Sequence, residues 1–331
     1  MASLRFRICF FVFCITQCHG NICLPKNHTA LFIFGDSLFD AGNNNYINTT
    51  TDNEANYSPY GETFFKYPSG RFSDGHMVPD FIAEYAKLPL IQPYLHPGYH
   101  QYIDGVNFAS AGAGALVQTH QGWVIDLETQ LRYFKKVEKI LKHRLGDAEA
   151  KTLLSKAVYL FSIGTNDYIE LYKKGERKFG FLNLAPVGCL SGMRLLAKGG
   201  TGACLEEASA IAKLHNSALP KVLKKLENRL KGFKYSVANF YDSLTEMMVF
   251  PSKYGFKERK AACCGSGPYR GYSSCGGKRG LREYELCGNV TEHVFFDSHP
   301  TERASQYIAQ LMWSGNPHVM GPYNLKELFA M

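Results

Sequence analysis

The chain has 331 residues, 45% of them apolar, and a formal net charge of +8. That length fits one large α/β domain, and the apolar share is ample for a sizeable core. The positive charge is spread along the chain, without an arginine-rich arm or zinc-finger spacing. This argues against nucleic-acid binding and leaves adherence to acidic wall polymers or a membrane surface open.

Arg5 and Arg7 precede an apolar run, residues 8–15, and Gly20 follows among smaller residues. This is a secretory signal pattern, too short for a spanning helix, with cleavage expected near Gly20. Residues 1–20 are read as the signal and 28–331 as one domain. Four Asn-x-Ser/Thr sequons, at Asn27, Asn48, Asn56 and Asn289, are candidate glycan sites in an exported chain. Cysteine usage agrees with export. Cys9, Cys14 and Cys18 leave with the signal, so seven remain, and an odd number leaves at least one outside intrachain pairing. The run from Cys263 to Cys287 lacks zinc spacing and reads as a disulfide-stapled loop. Cys189 and Cys204 flank a Gly-rich segment and are expected to close it.

The first element is the apolar run Leu31-Phe32-Ile33-Phe34, which stops at Gly35 and reads as a buried strand. Asp36 and Ser37 follow it. A serine just past the carboxyl end of a strand sits where open α/β sheets place their ligands. Neighbouring backbone N–H groups could hold an oxyanion there, although Gly-Asp-Ser is also an ordinary turn. Residues 50–73 read as a long polar loop, and 80–87 as a helix packing one face on the sheet. Residues 105–116 read as a strand running into an Ala-Gly-Ala-Gly turn, where Gly112 or Gly114 could offer a backbone N–H at close range.

Residues 126–145 and 147–155 carry helical periodicity, and 157–163 form a second buried strand. It ends in Gly164-Thr165-Asn166-Asp167. An asparagine there can donate its amide to an oxyanion or close an Asx-turn or helix cap. The third strand, 178–184, follows after about fourteen residues, against the roughly 10–12 that a full crossover with its helix requires. Residues 206–230 predict a long helix with Ile211, Leu214, Val222, Leu226 and Leu230 inward and Pro220 as a kink. A fourth strand spans 233–239, and 247–256 reads as irregular. After the apolar approach 293–296 come Asp297-Ser298-His299-Pro300, with Pro300 in the first turn of a last helix ending near Trp313. His299 shares its turn with Asp297, a base beside an orienting group.

The order Ser, Gly, Asn, Asp, His at these places resembles the plant GDSL esterase/lipase family of the SGNH hydrolases. The likeness rests on FGDSLFDAGNNN, GRFSDGHMVPDFIAEYAKLPLI, GVNFASAGAGAL, FSIGTNDY, KFGFLNLAPVGC, KYGFKERKAACCGSGPYRG and FFDSHPTE, from about Leu31 to the C-terminus. The resemblance implies a three-layer α/β/α sandwich with a flavodoxin-like parallel sheet. It implies Ser37 as nucleophile, His299 as general base and then acid, and Asp297 as orienting group. It further implies an oxyanion hole from the Ser37 and Gly112 N–H groups and the Asn166 side chain. Neither metal nor organic cofactor is implied. The expected partner is an acyl ester, lipid or other, cleaved by a secreted monomer in the apoplast, with defence among the family's roles.

Two departures qualify this. The family has a longer interval, with a crossover helix, after the Asn-Asp-Tyr motif, so a missing helix after Asp167 and exposed apolar surface are expected. The last block is usually Asp-x-x-His, whereas this chain has Asp-x-His, which predicts a poorer fit of Asp297 to His299. An impaired or non-catalytic variant binding a wall or lipid partner, or an acetyl-polysaccharide esterase, are the alternative readings.

Overall fold

The computed structural model describes residues 28–114, 117, 119–162, 177–197, 202–272, 275 and 284–331. The signal segment, Cys23, Asn27, Asn166 and the interval expected to lack a crossover helix lie outside the described residues.

In chain order the sheet and its helices are β1 (Leu31–Phe34), α1 (Val78–Tyr85), β2 (Gly105–Asn107), α2 (Leu127–Leu145), α3 (Asp147–Lys156), β3 (Val158–Phe161) and β4 (Lys178–Leu182). There follow the single turn α4 (Ser191–Arg194), α5 (Glu206–Arg229), β5 (Lys234–Ala238), α6 (Phe240–Val249) and the short ribbon strands β6 (Cys264–Gly265) and β7 (Glu285–Leu286). The chain ends in α7 (Glu302–Ser314), β8 (Met320–Gly321) and α8 (Leu325–Ala330). The main sheet has the order β2-β1-β3-β4-β5-β8. Its first five strands run parallel, and only the edge strand β8 is antiparallel.

Side chains alternate across a strand, and both faces of this sheet are covered. Leu31, Ile33, Val158 and Leu160 face one layer, which holds Val78 and Ile82 of α1, Leu244 of α6, Ile308 of α7 and Leu325 of α8. Phe32, Phe34, Tyr159, Phe161, Phe179 and Phe181 face the other, under Phe134 of α2, Leu153 of α3 and Leu223 of α5. Phe34 stacks on Phe108 at 4.9 Å and on Phe161 at 4.8 Å. The result is the expected three-layer sandwich with a mostly parallel sheet. Buried parallel strands need apolar residues on both faces, which is why β1 and β3 read as continuous apolar runs. Among the described residues, no helix is long and apolar enough to cross a membrane.

Several boundaries differ from the sequence reading. α6 occupies residues left unassigned or read as irregular. Asn239 caps it by accepting the Asp242 N–H, and Phe240, Leu244, Met247 and Met248 are buried at helical spacing. α5 continues through Pro220, and its inward face is Ser209, Ala212, Leu219, Leu223 and Leu226. Ile211 and Leu214, expected inside, are 69% and 72% exposed. Pro300 precedes α7 instead of opening it, because Thr301 is the cap and accepts the Ala304 N–H. β8 and α8 lie beyond the helix read as the last.

Among the described residues, three disulfides staple the loops. Cys189 pairs with Cys204 as expected, while Cys263–Cys287 and Cys264–Cys275 tie the second cysteine loop together. Of the sequons described, Asn48 and Asn289 are exposed. Asn56 is half-buried, and its side-chain oxygen is buried without a hydrogen bond among the described residues.

Candidate active site

The site lies at the carboxyl end of β1. Gly35 ends the strand with φ +149°, and a Cβ there would come within 3.1 Å of the Ser162 Cβ. Gly35 therefore lets the chain turn sharply against the end of β3. Both its peptide groups are held by one buried side chain from α2. The Gly35 N–H donates to Gln130 Oε1 at 3.0 Å, and Gln130 Nε2 donates to the Gly35 carbonyl at 2.9 Å and to the Ile125 carbonyl at 2.9 Å. Past Gly35 the chain forms one helical turn, with the Phe39 and Asp40 N–H groups donating to the Asp36 carbonyl. Ser37 sits in that turn.

The rest of FGDSLFDAGNNN is scaffolding. Asp40, wholly buried, accepts the Gly42 and Asn43 N–H groups on Oδ1 and the Ala111 N–H on Oδ2. Asn43 Nδ2 donates to the Asn107 and Ala109 carbonyls, both at 2.9 Å. Asn44 Nδ2 donates to the Ala111 carbonyl at 2.9 Å, and its oxygen accepts the Ser110 hydroxyl at 2.6 Å. These bonds fasten the loop after β2 beside Ser37. Gly112, in that loop, has φ +81°, and a Cβ on it would fall 2.6 Å from Asn53 Oδ1. Among the described residues, neither the Ser37 nor the Gly112 N–H has a hydrogen-bond acceptor.

His299 comes from the other end of the chain. Phe295 and Pro300 bridge in antiparallel fashion, and the Phe296 N–H donates to the His299 carbonyl at 2.8 Å, so Asp297 and Ser298 form the tip of a tight hairpin. The hairpin is fastened from behind, where the Cys263 N–H donates to the Phe295 carbonyl and the Cys264 N–H to the Phe296 carbonyl. His299 Nε2 lies 2.8 Å from Ser37 Oγ, and His299 Nδ1 lies 2.8 Å from Asp297 Oδ1. The short Asp-x-His interval is accommodated by an Asx-turn. Asp297 Oδ1 also accepts the His299 backbone N–H at 2.8 Å, bringing carboxylate and ring together without the extra residue. Asp297 Oδ2 accepts the Tyr60 hydroxyl at 2.6 Å.

Electrostatics follow from burial and pairing. Burial opposes charge on both Asp297 and His299. The imidazole charge and the hydrogen bonds from His299 and Tyr60 outweigh it for Asp297, which is held below the ordinary carboxylate range. The Asp297 carboxylate, with a smaller contribution from Asp36, outweighs it for His299, whose pKa is raised. Burial pushes the Asp36 carboxyl up to about 6 against the Leu38 N–H and the His299 charge, and that of Asp40 likewise to about 6.

A cavity of about 420 Å³ opens on Ser37 and His299. Its walls are mainly apolar, with Leu38, Leu182, Val187, Leu190, Leu219, Phe240 and Leu244 among them, and Ala113 and Gly114 at the β2 loop. The strand-end peptide of Leu184 on its rim is clamped by Asn216, which accepts the Leu184 N–H and donates to its carbonyl, both at 2.8 Å. Sequence reasoning singled out Ser37, Asp297 and His299, and the structure brings their side chains together. It missed Asp40, Asn43, Asn44, Gln130 and Tyr60. The Asn run after Asp40 was a signal, since three amides in succession suit a loop that must satisfy buried backbone groups. Nothing in the sequence marked Gln130 or Tyr60.

A parallel α/β/α sheet with serine, imidazole and carboxylate in sequential contact at its carboxyl edge has the arrangement of a hydrolase of the SGNH type. The chain belongs to the GDSL-like lipase/acylhydrolase family, whose model matches residues 31–312, and is a carboxylic ester hydrolase. It is 49% identical to GDSL esterase/lipase 1 of Arabidopsis thaliana over 95% of this chain and 94% of that one. It is 46% identical to a GDSL lipase of Tanacetum cinerariifolium over 96% and 92%. It is 47% identical to GDSL esterase/lipase 4 of Arabidopsis thaliana, in an alignment of 377 positions that takes in the whole of both chains. With 331 residues here, several tens of those positions have no counterpart in this chain.

Proposed function

We propose that the chain is a secreted serine esterase that hydrolyses esters with an apolar acyl group through an acyl-enzyme on Ser37. The observation that carries the reading is the run of contacts Ser37 Oγ–His299 Nε2 and His299 Nδ1–Asp297 Oδ1, each 2.8 Å. An ionised carboxylate can only accept hydrogen bonds, so Nδ1 keeps its proton and Nε2 presents a lone pair to the Ser37 hydroxyl. Ser37 Oγ attacks the ester carbonyl carbon while its proton passes to Nε2. The carbonyl oxygen becomes an oxyanion that the Ser37 and Gly112 N–H groups and the Asn166 side chain stabilise. Collapse breaks the bond to the alcohol oxygen, which leaves with the proton from Nε2. Water then repeats the sequence on the acyl-enzyme and releases the acid and Ser37. The apolar cavity walls favour a hydrocarbon acyl chain over a charged one.

The signal pattern, the sequons Asn27, Asn48, Asn56 and Asn289, and the disulfides support export to the apoplast, with residues 28–331 acting as one domain and as a monomer. The net charge of +8 suits peripheral adherence to acidic wall polymers or membranes. Action in defence is the setting the family resemblance implies. The test is Ser37→Ala assayed on a short-chain aryl ester. Hydrolysis is expected to fall to background, and wild-type turnover in that variant would overturn the proposal.

A further inference from the structure

The Asx-turn that lets Asp297 reach His299 across one intervening residue has a consequence for the carboxylate. Oδ1 takes both donors of His299, the backbone N–H and Nδ1. Oδ2 meets the hydroxyl of Tyr60, whose ring belongs to an apolar cluster with Tyr57, Phe72, Phe296 and the Cys263 and Cys264 disulfides. A bare carboxylate oxygen there would carry a desolvation cost. Its one donor among the described residues is the Tyr60 hydroxyl at 2.6 Å, the short contact of a charge-assisted bond. Tyr60 is 4% exposed, and its ring is fixed edge-on against Tyr57 at 5.3 Å, Phe72 at 5.7 Å and Phe296 at 5.4 Å. The phenol is therefore held in place by packing, and it does not line the catalytic cavity.

We infer that Tyr60 is a positioning residue of the ester-hydrolysing site, acting only through Asp297 by fixing its carboxylate in the rotamer that orients His299. The inference rests on the triad reading above. The loop from 54 to 74 thereby takes part in catalysis without touching substrate. Without the phenol proton, the Asp297 charge is less compensated and its side chain is freer to turn. The imidazole then spends less time aimed at Ser37 and holds its proton more tightly. Among the described residues, the charged or titratable groups facing this pair are Asp36, from the turn after β1, and Tyr60 itself.

The test is Tyr60→Phe, which keeps the ring and its packing, combined in a cycle with Asp297→Ala. In Tyr60→Phe, kcat is expected to fall about 10–100-fold, the range spanned by loss of one hydrogen bond to a charged group. KM should stay within about twofold of wild type, and the acid limb of kcat/KM should move to higher pH. In the Asp297→Ala background, Tyr60→Phe should have no further effect on kcat. The inference is overturned if Tyr60→Phe keeps kcat, or if its effect persists undiminished in Asp297→Ala, since a merely structural role would act in both backgrounds. Wild-type kcat in Asp297→Ala alone would instead sink the triad reading beneath it.

Discussion

The Gly35 turn depends on Gln130, and Gln130→Met tests this. Methionine has nearly the same length and fits an apolar surround, but offers neither amide nor carbonyl. Three hydrogen bonds go, to the Gly35 N–H, the Gly35 carbonyl and the Ile125 carbonyl. The Gly35 carbonyl keeps the Ser110 N–H at 3.0 Å, so two backbone groups lose the partner that Gln130 gave them. A buried polar group left without a partner costs about 1–3 kcal/mol, which puts the loss near 3 kcal/mol when part of the cost is relaxed away. Urea unfolding should show the slope unchanged and the midpoint lowered by that free energy divided by the slope. Because Gly35 sets the direction in which Ser37 leaves the strand, kcat should fall at least about tenfold as well. Stability within about 0.5 kcal/mol of wild type, with kcat preserved, would refute the idea that this amide builds the nucleophile turn.

Two further outcomes follow from the same geometry. The base must be neutral to accept the Ser37 proton, and the His299 pKa is raised above its ordinary 6.5. Activity should therefore be lost as pH falls through a value above 6.5, so an acid limb of kcat/KM centred below 6.5 would contradict the pairing with Asp297. Arg71 makes a buried two-point bond to Asp80, Nε to Oδ2 at 2.8 Å and Nη2 to Oδ1 at 2.9 Å, and also reaches the Ala41 carbonyl at 3.3 Å. Arg71→Met should destabilise the fold by about 3–5 kcal/mol, because the Asp80 charge stays buried without its partner. A change under 1 kcal/mol in chemical unfolding would count against it.

β1 and β3 were legible because they are short apolar runs, and burial on both faces leaves no other use for them. α6 was not, since the sequence reading leaves 240–246 unassigned and takes 247–256 as irregular, which divides its buried residues Phe240, Leu244, Met247 and Met248. The inward face of α5 was misjudged where Ile211 and Leu214 suggested apolar packing and the neighbouring Ser209 and Ala212 occupy it instead. Small residues let a helix approach closely, a possibility that a search for large apolar side chains overlooks. Ser37 and His299 stood out because they carry chemistry in their side chains. Their supports did not, since Gln130 and Tyr60 act through contacts 95 and 237 positions away along the chain. The shortened Asp-x-His interval pointed to a misfit because spacing alone does not show that Asp297 can cap its own turn.

The identity of the nucleophile is what the proposed chemistry rests on most directly. Treatment with a fluorophosphonate, followed by intact mass and peptide mapping, reads it in one measurement. One adduct per chain is predicted, on Ser37, formed far more slowly in His299→Ala. An adduct mapped to another residue, or unchanged labelling of Ser37→Ala, would contradict it.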